Sequence, residues 1–353
     1  GMVRVNGSTR LDGAVTITRG TGAVTFTGTV DSEASETNNL TIDGANGATI
    51  AFQDHVGAAQ NSGLNVGRLG AVTIATATGV TVTDAKSFNA LSFEQQAGSG
   101  ATVFGGTVNT SGQIGGTPTN INGIDITTAG TVRFKDTVTT TGSGAVAISN
   151  AGTLTIDNGA TFDLAGAFEQ SGGGSVNLGA NITTADAAIG FANAITLTND
   201  VSLSTGAGGG TVTVGNTVDS DSTARALTVS AGTGNVVFQS AAHAGTATSS
   251  SALASLTVSG ADITLRDVTT VGAQSYTATG TIDTNSTYVT DGADITFTGA
   301  TVANSALVID TTDGGNATTA GSVTFTSTLK SEASEANNVT ITAGAGHIDF
   351  DGI

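Results

Sequence analysis

Two stretches of this chain, 299 residues apart, are nearly the same. Residues 22–47 (GAVTFTGTVDSEASETNNLTIDGANG) lie without gaps on residues 321–346 (GSVTFTSTLKSEASEANNVTITAGAG), with 16 identities in 26 positions. A weaker third copy starts at Val218-Asp219-Ser220 and runs through Ala226-Leu227-Thr228-Val229 to Phe238-Gln239. A shorter period sits inside the long one. Glycine, then an alternating apolar-polar stretch, then a large apolar residue recur from Gly22 to Gly346 at a mean spacing of about 25 residues, which is the range of solenoid repeats. The reading is one continuous repeat body over residues 1–353, cut from a longer tandem array. The opening Gly1-Met2 marks the cut.

One column of the repeat is large and apolar throughout. It holds Phe26, Phe52, Ile74, Phe104, Phe134, Ile156 and Leu178, then Val214, Phe238, Leu265, Phe297, Phe325 and Phe350. Eight of the chain's 13 phenylalanines fall there, and they form the expected core stack: Phe26, Phe52, Phe104, Phe134, Phe238, Phe297, Phe325 and Phe350. A second apolar column lies two residues earlier, so both point to one face of a strand. The residue between them faces outward. A turn former such as Gly28, Asp54, Asp136 or Asp267 follows two places after the large residue and bends the chain. Strand, bend, strand and loop, with a column that returns to the same place, describe an all-β, single-stranded parallel β-helix of about 14 coils. A β-sandwich array is the competitor, but its consecutive strands do not return one residue to one place.

Composition narrows the function. The chain carries 28 acidic against 10 basic residues, a net charge of −18, which argues against binding nucleic acid or an anionic membrane surface. No apolar run approaches the roughly 20 residues of a membrane span, so membrane insertion is not expected. There is no cysteine, hence no disulfide and no thiolate chemistry, which suits a protein working outside a cell.

Segments such as residues 22–30 (GAVTFTGTV), 226–238 (ALTVSAGTGNVVF) and 270–280 (TVGAQSYTATG) resemble the β-strand repeats of very large bacterial surface proteins, the filamentous-haemagglutinin-like and autotransporter-passenger adhesins. The resemblance covers most of the chain. It implies a right-handed parallel β-helix exported to the bacterial cell surface as a structural stalk or adhesin. The partners it implies are glycans or proteins of host or neighbouring cells.

Catalysis is not expected. A β-helical polysaccharide-binding or polysaccharide-degrading protein is the alternative, and a lyase or hydrolase on such a fold needs converging carboxylates. Asp54, Asp136 and Asp267 occupy coils that are not neighbours and read as turn formers. The basic residues, Arg68 among them, read as scattered, and the one close pair, Arg133 and Lys135, reads as solvated surface. His55, His243 and His347 take different places in the repeat, so no shared metal site is expected. No cofactor is expected either, beyond weak surface Ca²⁺ at acidic loops such as 31–36, Asp283 or 291–294. Saccharide stacking would fall to Tyr276, Tyr288, Phe88, Phe93, Phe162, Phe168 or Phe191, and core packing explains most of these phenylalanines better. A flat threonine array for ice is disfavoured, because Val103, Arg133, Asn177, Val237 and Asp349 interrupt the outward column. The coils at the two ends expose unpaired edges, which predicts end-to-end self-association. The longest loops, 109–122 and 240–252, have room for structure of their own.

Overall fold

The computed structural model describes residues 1–44, 47–57, 67–111, 122–243 and 245–352. Most of the loop 109–122 lies outside them. The chain divides into two compact units, Gly1–Ala185 and Asp186–Ile353. Each is a parallel β-solenoid, and together they make about 15 turns. Among the described residues the only helical segment is the three-residue turn Asp313–Gly315, and no helix is long and apolar enough to cross a membrane.

A coil of the first unit contains three short strands, as in Val132–Phe134, Val138–Thr140 and Ala145–Asn150. The first two alternate buried, half-exposed or exposed, buried, because Val-x-Phe and Val-x-Thr put their outer residues on the pleat's inner side. Sequence periodicity shows the first and third strands of a coil. The middle strand, Val138–Thr140, ends inward on a threonine rather than on a large apolar residue, so its alternation does not stand out. Between the first two strands the chain bends at Asp136, whose carboxylate accepts from the amide of the next residue, Thr137, at 2.7 Å.

The glycine that opens most repeats has a steric cause, Gly47 being an exception with a positive φ of 119° and only ordinary van der Waals contact at its Cβ position. Gly100, Gly130, Gly152 and Gly174 stand over one another at one corner of the first unit, backbone on backbone. A Cβ on Gly130 or Gly174 would fall inside the carbonyl of the glycine one coil below. Parallel coils hydrogen-bond at a spacing of about 4.8 Å, and at this corner no room remains for a methyl group. The second unit repeats the device, with Gly234 against Gly210 and Gly346 against Gly321. The sequence period is therefore the spacing of sites where two backbones touch.

The inward ladder of the first unit pairs Phe26 with Phe52, Phe52 with Val82, Val82 with Phe104, Phe104 with Phe134, Phe134 with Ile156 and Ile156 with Leu178. Rings one coil apart stack in parallel: Phe26 on Phe52, and Phe104 on Phe134, each at 5.2 Å with planes 5° apart. Ile74 is not a member. It pairs with Ile42 on a different ladder, and Val82 takes the place expected for it. The column read from sequence divides in the second unit too. Val214 and Phe238 share one ladder, whereas Phe297, Phe325 and Phe350 belong to another. The cause is variable coil length. Successive partners Val80, Thr102, Val132 and Leu154 are 22, 30 and 22 residues apart, so an alignment on the nearest glycine slides from one face to the next. Seven of the eight phenylalanines of the expected stack are buried. Phe350, on the final strand Ile348–Phe350, is 55% exposed although its ring stacks on Phe325 at 5.2 Å.

Candidate functional site

The three aspartates of the bends do not converge. Asp54 binds Lys86 Nζ at 2.9 Å and accepts from the His55 amide at 2.9 Å, Asp136 caps its own turn, and Asp267 accepts from the Thr287 amide at 3.0 Å. The first and last of these bonds tie one coil to the next. Lys86 and the His55 amide together hold the Asp54 carboxyl below the usual range.

The basic residues are less scattered than the sequence reading has them. Arg133 forks onto Asp157, 24 residues away, with Nη2 at 2.7 Å and Nε at 2.9 Å, and the hydrogen bonds raise the guanidinium pKa. Lys135 reaches Asp84 at 2.8 Å, 51 residues away in sequence. With Lys86–Asp54 these make an ion-pair ladder on the outside of the first unit. Its partners come from different coils, and spacing along the chain gives no sign of them. Arg68 stands apart from this ladder. It is buried, and its Nη2 donates to the carbonyls of Ala90 at 2.7 Å and Asn109 at 3.3 Å rather than to a carboxylate. Burial lowers its pKa.

The histidines stay apart. His55 Nδ1 lies 2.8 Å from the Ser87 hydroxyl. His243 Nδ1 lies 2.6 Å from Asp219, with Nε2 buried and unpartnered. Among the described residues no three His, Asp or Glu side chains are grouped as a metal site. Of the acidic positions considered for Ca²⁺, Asp31 and Asp283 each have a carboxyl raised by burial, and Asp294 accepts from the Ser322 amide at 2.7 Å. Tyr276, Tyr288, Phe88, Phe93, Phe162, Phe168 and Phe191 are all buried, so none offers a stacking platform. The Tyr288 hydroxyl is enclosed without a hydrogen-bond partner.

The long repeat does build one surface feature twice. After the strand Val30–Ser32 the chain turns through Ser-Glu-Ala-Ser-Glu, and after Leu329–Ser331 it does the same. In each copy the strand's last serine accepts from an asparagine amide at 2.9 Å, Asn38 onto Ser32 and Asn337 onto Ser331. Each asparagine Nδ2 donates at 2.9 Å to the previous coil, to Leu11 O and Ala303 O respectively. It also meets a glutamate at the tip, Glu36 or Glu335. Ser35 and Ser334 hold left-handed backbone at φ 74° and 72°. The third copy keeps the serine bond alone, Arg225 N onto Ser220 Oγ at 2.9 Å. The tips are exposed and acidic. No family model, no curated protein and no solved structure matches the chain.

Proposed function

We propose that the chain is a structural and adhesive segment of a large exported bacterial surface protein, working without catalysis at the cell surface. The observation that carries this reading is the doubled acidic turn. Two copies 299 residues apart keep the sequence SEASE and the bonds that hold it, and a scaffold that presents the same loop repeatedly suits multivalent contact. The resemblance to filamentous-haemagglutinin-like repeats supports the same reading. Coil-to-coil hydrogen bonds and stacked rings give the stiffness a stalk needs, and a net charge of −18 keeps a secreted chain dispersed. The partners are glycans or proteins of other cells, with end-to-end association of the chain as a second mode. Beads coated with the protein should adhere to cells. Replacing Glu33, Glu36, Glu332 and Glu335 by glutamine should weaken that adhesion. Beads that do not adhere, together with release of sugar from a polysaccharide by the soluble protein, would replace this reading with the enzymatic one.

A further inference from the structure

The outward column, once sorted by true register, becomes regular on one face of the second unit. Its strands pair in the order Val201–Ser204, Ala226–Ser230, Ser255–Gly260, Gln274–Thr284, Ile295–Ala303 and Val323–Phe325. Each presents a hydroxyl, an inward apolar or aromatic residue, and a second hydroxyl: Ser202-Leu-Ser204, Thr228-Val-Ser230, Thr257-Val-Ser259, Ser275-Tyr-Thr277, Thr296-Phe-Thr298 and Thr324-Phe-Thr326. The result is two ranks of six side chains, with no charge and no bulky apolar residue in either. The interruptions that disfavour an ice-binding array in sequence lie elsewhere. Val103, Arg133 and Asn177 belong to the first unit, Val237 lies on another ladder, and Asp349 follows the last hydroxyl of the first rank.

A neighbouring ladder of the same unit runs Thr213, Val237, Thr264, Asp283, Val302, Lys330. Threonine-rich composition alone would have filled that ladder with hydroxyls as well. It did not, so the uniformity belongs to one face.

We propose that this face binds ice. Along a strand the hydroxyls are two residues apart, about 6.7 Å, and from coil to coil about 4.8 Å. The inward side fixes the coil step: the Tyr276 ring stacks on Phe297 at 5.2 Å, and Phe297 on Phe325 at 4.9 Å. Those two repeats approximate the oxygen periods on a prism face of hexagonal ice. Seven of the twelve side chains are threonines, whose branching at Cβ stiffens χ1 so that the hydroxyl is held in place beside a methyl; the other five are serines, which add hydroxyls without that stiffness. Charged groups would hold hydration shells of their own, and the ranks contain none. Polymer sugars are a poorer match, since their stacking needs exposed aromatic faces and Tyr276, Phe297 and Phe325 are turned inward and buried.

The inference stands apart from the adhesive reading, and the intact chain tests it. A solution of the protein is frozen slowly onto a cold finger, and the fraction taken into ice is measured alongside crystal shape and thermal hysteresis. The wild type should partition into the ice and facet the crystals. Thr257→Lys and Thr296→Lys should abolish both effects, and Thr257→Val should weaken them, while Thr264→Lys on the neighbouring ladder should leave them unchanged. Circular dichroism melts establish that each variant is folded. Exclusion of the wild type from ice, or full ice uptake by folded Thr257→Lys, overturns the proposal. So does retention on microcrystalline cellulose without any ice uptake.

Discussion

At the scale of single residues, side chains and backbones one coil apart decide what each position tolerates. Gly130 is the clearest case. A methyl there would overlap the carbonyl of Gly100, whereas Gly13 has open space around its Cβ position. Gly130→Ala must push two hydrogen-bonded coils apart, which costs at least the 1–3 kcal/mol typical of overpacking, and Gly13→Ala should stay within about 0.5 kcal/mol of the parent. Chemical denaturation of the pair checks this, and equal midpoints would refute the steric origin of the glycine column. Asn38 is the polar counterpart. Its amide and Nδ2 bond the Ser32 hydroxyl and the Leu11 carbonyl; Asn38→Ala removes the side-chain donor while the Glu33 amide still serves that carbonyl, so the loss should be about 0.5–1.5 kcal/mol. Asn337→Ala should lose a similar amount if the two turns are equivalent. Ser35 works the other way. Its left-handed φ of 74° is strained for a residue with a Cβ, and Ser35→Gly should raise the midpoint or leave it unchanged.

At the scale of strands and ladders, the energetic unit is a ring stacked on the ring of the next coil. Phe134 lies flat on Phe104 at 5.2 Å and meets Phe162 edge-on at 5.2 Å. Phe134→Ala would open a cavity bounded by three coils and should destabilise by about 3–5 kcal/mol. Phe350→Ala, at the exposed last strand, should cost much less. A calorimetric melt that moves equally for both would remove the stack from the account. The two residues looked alike in the sequence. Glycine and the alternation of Val, Thr and Phe revealed parallel coils because each reports a local constraint, backbone contact or a two-sided strand. Register was not legible, since coil lengths vary irregularly between 22 and 30 residues and Val82 is smaller than the phenylalanines it sits between. The ion pairs were hidden for a related reason. Arg133 and Asp157, or Lys135 and Asp84, meet only after one or more turns of the solenoid. The hydroxyl face was hidden as well, because with coils of unequal length an equal offset from the nearest glycine puts its threonines in one column with Arg133 and Val237.

At the scale of the whole molecule, charge sets how stability answers to pH, and two groups of aspartates pull in opposite directions. Asp54 and Asp221 are lowered, the first by its bond to Lys86 and the second by its bond to Arg225. Each contributes stability that is present above the unfolded value of about 3.9 and is lost as pH falls through the folded one. Asp31 and Asp283 are raised by burial. Their contribution is complete below about pH 3.9 and is lost as pH rises through their higher folded values. A net charge of −18 adds self-repulsion that acidification relieves. Stability should therefore rise as pH drops from neutrality towards about 4, then fall as the ion-paired carboxylates take up protons. Urea midpoints across that range test the assignment. Asp31→Asn and Asp283→Asn should raise the midpoint at neutral pH and flatten the upper limb. Asp54→Asn and Asp221→Asn should lower the midpoint at neutral pH and flatten the acid limb. A neutral-pH midpoint unchanged in Asp31→Asn would mean that this half-buried carboxylate does not oppose folding, and self-repulsion alone would then have to produce the rise.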